Sequence, residues 1–299
     1  MRKQRKGPRR LAILLFGTMI FALTACGQKE NGITREKVEG LEELGEITVV
    51  SREEGSGTRS TFAELVDFAG DSEDGQSSDR TKDDAMIVEA SEEVVDTVKA
   101  DTAAIGYVSE GALLGINDVK QLTVAGVAAG ENDNKYPLSR SFYLTWNGKL
   151  REVEREFLTY IKGAGQDIVG DSYVAVAKSG SFLSTKPKGT VKIEGSTSVG
   201  PLLEQLAAEY MEYNPKASIV ITQTDTTSGL NRVMEGKCDM AMASRELKDY
   251  EQELLDYEII ARDEIAVIVN IQNPLQDITM DELKRIYVGD VDSWQQLNE

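Results

Sequence analysis

The chain has 299 residues, 40% of them hydrophobic, which is enough for one large domain or for two lobes with buried cores. It contains no histidine, which excludes Ser-His-Asp and Cys-His catalysis and removes the commonest zinc ligand. The 51 Asp and Glu residues outnumber the 33 Lys and Arg residues, for a formal net charge of −18, and such a surface disfavours nucleic acid as a partner.

The N-terminal segment has the pattern of a secretory signal. A cationic stretch that ends at Arg10 precedes the apolar run Leu11–Ala22. This run is shorter than the roughly 20 residues that a membrane-spanning helix needs. Leu-Thr-Ala-Cys follows and resembles a bacterial lipobox, in which the cysteine is lipidated. The pattern predicts a signal peptide at 1–25, lipidation of Cys26 and a lipid-anchored tether at 26–45. An ordinary signal peptide or anchor with an incidental cysteine is the alternative.

Beyond the tether, apolar strand-like and helix-like segments alternate, which predicts an α/β fold with parallel strands. Residues 70–84, rich in Asp, Ser and Gly, are predicted to form a solvated loop. The predicted strands lie at 47–50, 104–108, within 119–127, and at 138–146, 191–194, 218–222, 240–243 and 265–270. Helices are predicted at 59–68, 92–100, 153–161, after each of the strands 191–194, 218–222 and 240–243, and within 278–287.

At four places an apolar strand runs into Ser, Thr or Gly just before a helix begins. These are ITVVSREEGSGTR, VKIEGSTSVGPLL, SIVITQTDTTSGL and MAMASREL. A helix N-terminus carries unpaired N–H donors and a partial positive charge, and Gly lets the backbone approach a ligand closely. Because ligands of open α/β sheets bind at the carboxyl ends of strands, four such ends predict a donor-rich site for a tetrahedral oxyanion. Simple helix capping by Ser and Thr is the alternative for each of them.

The motifs resemble those of PstS-type phosphate-binding proteins, the extracellular receptors of phosphate ABC importers. SREEGSGTR, AIGYVSEG and YPLSRSFYL are similar to the second half of that family. GSTSVGPLLEQLAAEY, TTSGLNRVMEGKCDMAMASREL, DEIAVIVNIQNP and ITMDELKRIYVGDVDSW are similar to its first half. The resemblance covers the chain from about residue 45 onward. It implies a type II periplasmic-binding-protein fold of two α/β lobes, each with a mixed sheet flanked by helices.

The two halves stand in the reverse of the family's usual order, which predicts a circularly permuted fold. Permutation is feasible because the ends of a domain usually lie at the surface and often close together. The implied division places lobe B at 46–136, completed by 272–299, and lobe A with the hinge strands at 137–271. The alternative is two half-domains from tandem copies, which would complete each other between molecules by segment swapping.

The resemblance also implies the residues of a phosphate site. Arg52 would neutralise the anion by fork-like hydrogen bonds. Backbone N–H groups and hydroxyls of both lobes would supply the other donors. These donors are Ser56, Gly57, Thr58, Ser196, Thr197, Ser198, Val199, Thr227, Ser228 and Ser244.

Two departures from the family pattern affect this site. Val199-Gly200 stands where many members have Thr-Phe, and Arg245 stands where some have an Asp that accepts the proton of phosphate. The acceptor role then passes to Glu54. Phosphate carries a proton near neutral pH and sulfate does not, so a carboxylate acceptor would favour phosphate. The alternatives are a surface position for Glu54 and an ion-paired helix position for Arg245.

The implied function is capture of inorganic phosphate outside the cell for the permease of an ABC importer. The implied protein needs no cofactor or metal, is not an enzyme, and is held at the extracellular face of the membrane through Cys26. Receptors for sulfate or molybdate, and a phosphate-sensing or adhesion lipoprotein without a transport role, are the alternatives. A phosphatase is disfavoured because the chain has neither histidine nor a dense carboxylate cluster.

Overall fold

The computed structural model describes residues 37–70, 79–130 and 135–299. The predicted signal peptide, Cys26 and the first part of the predicted tether lie outside these ranges. Among the helices of the described ranges, none combines the length and the apolar character that a membrane crossing requires.

Eleven strands and eight α-helices make up the described fold. The strands are β1 (Thr48–Arg52), β2 (Met86–Val88), β3 (Ala104–Ser109), β4 (Val119–Gln121), β5 (Thr123–Val124), β6 (Ser139–Trp146), β7 (Gly189–Ser196), β8 (Ala217–Thr224), β9 (Met240–Ala243), β10 (Asp256–Asn270) and β11 (Asp277–Ile278). The helices are α1 (Gly57–Leu65), α2 (Ser91–Ala100), α3 (Glu152–Lys162), α4 (Gln166–Ser172), α5 (Gly200–Tyr213), α6 (Thr226–Met234), α7 (Asp249–Leu254) and α8 (Met280–Val288).

Local sequence accounts for where several helices begin. Ser56 caps α1 by accepting a hydrogen bond from the N–H of Arg59, and Asp225 caps α6 by accepting one from the N–H of Ser228. α8 begins with a capping box, in which Thr279 and Glu282 each satisfy the other's backbone N–H. These caps fix the first turn of each helix directly after the strand or loop that precedes it.

Nine strands form one mixed sheet, in the order β2-β1-β3-β10-β6-β9-β7-β8, with β4 also paired to β10. β1 is parallel to β2 and β3, and β7 is parallel to β8 and β9, as the sequence predicts. β10 and β6 are antiparallel to their neighbours. The α/β class with mixed sheets and flanking helices is therefore confirmed.

The long strand β10 divides this sheet into two half-sheets. Its residues 256–264 pair with β6, and its residues 265–269 pair with β3. We call β1 to β4 with residues 265–270 the first half-sheet, and β6 to β9 with residues 256–264 the second half-sheet. The sequence predicts only 265–270 as strand, because charged residues interrupt the apolar pattern between Asp256 and Glu264.

Each half-sheet has its own buried clusters on its two faces. The clusters around the first half-sheet draw on residues 41–138 and 265–297, and include Phe62, Tyr107 and Trp294. Those around the second draw on residues 142–261, and include Phe157 and Tyr210. Helices thus cover both faces of each half-sheet, and the change from one set of clusters to the other falls at the strands β6 and β10.

Residues near 38–47 and 292–298 are hydrogen-bonded to each other. The side chain of Asn298 bonds the backbone N–H and C=O of Val38, and the N–H of Ile47 donates to the carbonyl of Asp292 at 2.7 Å. The indole of Trp294 is fully buried and donates to the carbonyl of Ala103 at 2.9 Å. These two segments therefore lie side by side at the first half-sheet, as a permuted order of segments requires.

Candidate functional site

The carboxyl ends of β1, β7, β8 and β9 meet between the two half-sheets. A short polar residue follows three of these strands: Thr197 after β7, Asp225 after β8 and Ser244 after β9. After β1, Glu53 and three further residues lead to the start of α1 at Gly57. In the second half-sheet β7, β8 and β9 are parallel, so their ends lie at one edge of the sheet. The end of β1 comes to the same place from the first half-sheet.

Hydroxyl groups from both half-sheets form one buried cluster at these ends. Thr58 Oγ1 lies 2.8 Å from Ser198 Oγ, and Ser196 Oγ donates to Ser244 Oγ at 2.9 Å. Ser91 Oγ lies 3.4 Å from Ser198 Oγ. The hydroxyl cluster, as we call it, consists of Thr58, Ser91, Ser196, Ser198, Thr226 and Ser244. All six residues are buried.

The half-sheets approach closely at Gly57, the first residue of α1. A Cβ atom at this position would lie 2.5 Å from Thr226 Oγ1 and 2.7 Å from Ser244 Oγ, which is closer than carbon and oxygen can pack. The N–H of Thr227 also donates to the carbonyl of Gly55 at 3.2 Å. Glycine at 57 is thus a steric condition for bringing the donors of both half-sheets together.

Arg52 places a buried cation beside the hydroxyl cluster. Its side chain is 2% exposed and donates to Ser91 Oγ at 3.2 Å and to the carbonyl of Glu89 at 3.0 Å. It also forms a two-pronged ion pair with Glu53, with both N···O distances 2.8 Å. Burial raises the pKa of the Glu53 carboxyl, and this effect exceeds the opposing effect of Arg52.

A second buried arginine, Arg140, reaches the cluster from β6. Its guanidinium pairs with Asp263 on β10 and donates to Thr58 Oγ1 at 2.7 Å and to the carbonyl of Ser244 at 3.2 Å. Burial lowers the pKa of Arg140 and raises the pKa of Asp263, and each charge opposes the shift of the other. An arrangement of buried hydroxyls, helix N-termini and two guanidinium groups suits a small oxyanion.

Comparison with known proteins agrees with this geometry. The model of a family described as the PBP superfamily domain matches residues 20–163 and 181–299. Phosphate-binding protein PstS 2 of Streptococcus pneumoniae serotype 4 is 34% identical over 294 residues, which cover 96% of this chain and 98% of that protein. Phosphate-binding protein PstS 2 of Streptococcus agalactiae serotype V is 36% identical over 85% of this chain and 89% of its own length. The chain belongs to the PstS family of the PBP superfamily.

A solved structure of this family has the same fold. The crystal structure of a phosphate-binding protein of a phosphate ABC transporter from Streptococcus pneumoniae TIGR4 superposes with a TM-score of 0.68 at 34% identity. The match covers 85% of this chain and all of that chain. The PBP-type fold implied by the sequence resemblance is therefore confirmed.

The order of segments is shared with part of this family. An alignment that runs over 98% of the pneumococcal relative keeps both chains in the same order. Phosphate-binding protein PstS of Staphylococcus haemolyticus matches over 119 residues, which are 37% of this chain and 38% of that protein. An alignment follows both chains in the same direction. When two chains carry the same segments in different orders, it can therefore match only one continuous part of each.

Most of the site residues implied by the sequence resemblance lie at or beside the strand ends. Arg52, Ser56, Thr58, Ser196, Ser198 and Ser244 are buried at the strand ends, with Gly57 between them. Thr197 and Ser228 are half-buried beside them, and Thr197 Oγ1 lies 3.4 Å from Ser91 Oγ. Val199 is fully buried in the apolar cluster of the second half-sheet, and its N–H donates to the carbonyl of Ser196.

Glu54, Arg245 and Thr227 lie outside the hydroxyl cluster. Glu54 is exposed, while its neighbour Glu53 holds Arg52. The guanidinium of Arg245 is buried against Glu251, with two N···O distances of 2.8 Å. Thr227 is half-buried, and the adjacent Thr226 supplies the buried hydroxyl.

Four residues of the site are absent from the sequence prediction. Ser91 lies at the start of α2 after β2, so it repeats the strand-to-serine-to-helix signal of the four motifs. Thr226 is one position from the predicted Thr227. The sequence pattern does not distinguish which hydroxyl of the first helical turn faces inward. Arg140 lies within the quoted segment YPLSRSFYL, and Asp263 lies opposite it on β10. The contact between Arg140 and Asp263 depends on the pairing of β6 with β10, two strands that are distant in sequence.

The Arg245–Glu251 pair generates a prediction about stability. Burial raises the pKa of Glu251, but hydrogen bonds from Arg245 and from the N–H of Lys248 outweigh it, and the net pKa lies below the usual value. The ionised carboxylate therefore stabilises the fold above about pH 4.3, the unfolded pKa, and this contribution is lost as the pH falls through the lower folded pKa. Glu251→Gln should cost about 3–5 kcal/mol at pH 7, because it leaves Arg245 buried without its anion.

Urea unfolding of both proteins at pH 7 and at pH 4 tests this expectation. The difference in the free energy of unfolding between wild type and Glu251→Gln should shrink at the lower pH. A difference below about 1 kcal/mol at pH 7, or one that grows on acidification, contradicts the assigned role of the pair.

Proposed function

We propose that this chain is an extracellular receptor that binds inorganic phosphate and delivers it to the permease of an ABC importer. The observation that carries the proposal is the contact of Thr58 with Ser198, which joins hydroxyl donors of both half-sheets beside Arg52. The names of the relatives, phosphate-binding proteins, give the same ligand. Solute capture in this family requires no cofactor, and we assign the chain no catalytic step.

We infer that the two half-sheets belong to two lobes that close over the anion. Lobe B comprises 46–136 with 272–299, and lobe A with the hinge strands comprises 137–271. The separate apolar clusters support this division. Since Ile265, Val267 and Val269 pack with the first half-sheet, the packing favours a boundary within β10, just before Ile265.

Calorimetry with the soluble chain from Gly27 onward tests phosphate binding. We expect a dissociation constant of about 1 μM or lower, which corresponds to about −8 kcal/mol or better. Gly57→Ala should weaken binding about tenfold or more, because the new Cβ would separate donors that must converge. Gly170→Ala, where a Cβ meets no atom within 4 Å, is the matched control and should bind like wild type.

The same titration separates the alternatives. Tighter binding of sulfate or molybdate than of phosphate would make the chain a receptor for another oxyanion. Absence of measurable phosphate binding by the folded wild-type chain would remove the transport proposal and favour a sensing or adhesion role.

The carboxylate that accepts the proton of phosphate is the second feature to test. We propose Glu53 for this role, because it is half-buried beside Arg52 and a carboxylate has further acceptor sites after receiving two guanidinium bonds. Glu53→Gln should lower the ratio of phosphate to sulfate affinity about tenfold, since an amide nitrogen would face the anion's proton. Glu54→Gln, on the exposed neighbour, should change the ratio less than twofold.

Competition binding with both anions measures this ratio in each variant. A loss of selectivity in Glu54→Gln with none in Glu53→Gln would return the role to Glu54, as the sequence resemblance implies.

Membrane attachment through Cys26 is a further proposal, supported by the lipobox resemblance of residues 23–26. Cells labelled with radioactive palmitate should incorporate label into wild type and should fail to do so in Cys26→Ala. Cys238→Ala is the matched control. That thiol is 8% exposed and burial raises its pKa to about 11, so it is a poor site for acylation. Label retained in Cys26→Ala would contradict the anchor.

A further inference from the structure

Arg140 and Asp263 form a fully buried ion pair where the chain crosses between the half-sheets. They lie opposite each other on β6 and β10, and their side chains are 2% and 0% exposed. Arg140 Nε and Nη2 lie 2.9 and 2.8 Å from Asp263 Oδ2. A buried ion pair is seldom retained for stability, because the cost of removing both charges from water offsets their attraction. Its remaining contacts indicate what else it does.

Those contacts reach both half-sheets. Ser109, at the end of β3, donates to Asp263 Oδ1 at 2.7 Å. Arg140 Nη1 donates to the carbonyl of Ser244 in the second half-sheet and to Thr58 Oγ1 at the start of α1. The pair therefore connects the crossing strands to a hydroxyl that belongs to the candidate anion site.

The direction of the bond to Thr58 carries the inference. A guanidinium can only donate, so Thr58 Oγ1 must accept from Arg140. The hydroxyl has one proton, and that proton must then point away from Arg140. Ser198 Oγ, at 2.8 Å, is its partner in this structure and lies within the hydroxyl cluster. Because Arg140 occupies one of the two acceptor sites of Thr58 Oγ1, it favours donation of the Thr58 proton toward the cluster, where an anion needs donors.

We propose that Arg140 is a positioning residue for anion binding. Asp263 holds Arg140, and Arg140 orients the hydroxyl of Thr58 so that the hydroxyl proton faces the bound anion. Arg140 itself does not donate to the anion. The proposal rests on the proposed phosphate-receptor function. The buried pair on β6 and β10 would then contribute to phosphate affinity, although neither residue belongs to the four strand-to-helix motifs.

A double-mutant cycle on phosphate affinity tests the proposal. Thr58→Val removes the hydroxyl and keeps the side-chain shape. Arg140→Gln combined with Asp263→Asn removes the positioning pair without leaving one charge buried alone. We expect each change to weaken phosphate binding about tenfold in the wild-type background. In the Thr58→Val background, loss of the pair should weaken binding less than twofold, because there is no hydroxyl left to orient.

If the loss of affinity in the triple variant equals the product of the losses from Thr58→Val and from removal of the pair, the positioning role is overturned. The pair would then affect phosphate binding independently of Thr58. Urea unfolding without phosphate reports stability separately. Arg151→Gln with Glu154→Gln, an ion pair beside the opposite end of β7, is the control and should leave affinity within twofold of wild type in both backgrounds.

Arg140→Lys covers the case in which the neutralised pair does not fold. Lysine keeps the charge next to Asp263, but its single ammonium lacks the fork that serves Asp263 and Thr58 together. We expect Arg140→Lys to fold and to bind phosphate about threefold to tenfold more weakly than wild type. The variant with both Arg140→Lys and Thr58→Val should bind phosphate as tightly as Thr58→Val alone. Unchanged affinity of Arg140→Lys would overturn the proposal. Failure of wild type itself to bind phosphate would instead reject the receptor function, and the positioning role with it.

Discussion

The close approach of the Gly57 backbone to the hydroxyls of Thr226 and Ser244 is the constraint on which the site depends. It lets the start of α1, from one half-sheet, lie against the ends of β8 and β9, from the other. The Thr58–Ser198 contact and the bond from Thr227 to Gly55 follow from the same approach. A side chain of any size at 57 would separate these groups, and the donors would then face water instead of one another.

Short-range donors explain how an acidic protein can hold an anion. With a net charge of −18, the long-range field of the chain repels phosphate, and salt screens that field over about 10 Å. The groups at the site act over hydrogen-bond distances and in a buried environment, where each donor has a larger effect than at the surface. Arg52 and Arg140 are both buried and both paired with a carboxylate, so their orientation is fixed before any anion binds.

The sequence predicts the strand-to-helix junctions well, because apolar runs followed by Ser, Thr or Gly have a local physical meaning. Thr58, Ser196, Ser198 and Ser244 are found in the hydroxyl cluster for this reason, and Ser56 is buried at the first of these junctions as the cap of α1. Orientation within a turn is less predictable, and Thr226 occupies the position expected for Thr227. Arg245 illustrates the same limit, since its partner Glu251 is on the following helix and holds the guanidinium away from the cluster.

Contacts between distant strands are beyond what local patterns reveal. Arg140 and Asp263 are separated by 123 positions in the chain and meet only because β6 and β10 pair. The length of β10 is underestimated for a related reason. Charged residues are interspersed among its first nine residues, and their strand conformation depends on pairing with β6 instead of on burial of an apolar run.

The pairing of β6 with β10 also brings both crossings between the half-sheets into one place. The N–H of Ile265 donates to the carbonyl of Leu138 at 2.8 Å, so both crossing segments belong to one two-stranded ribbon. If the two halves move as the proposed lobes, this paired segment is where the chain must bend, because both crossings lie in it. A distance between one label on each half would then report the proposed closure.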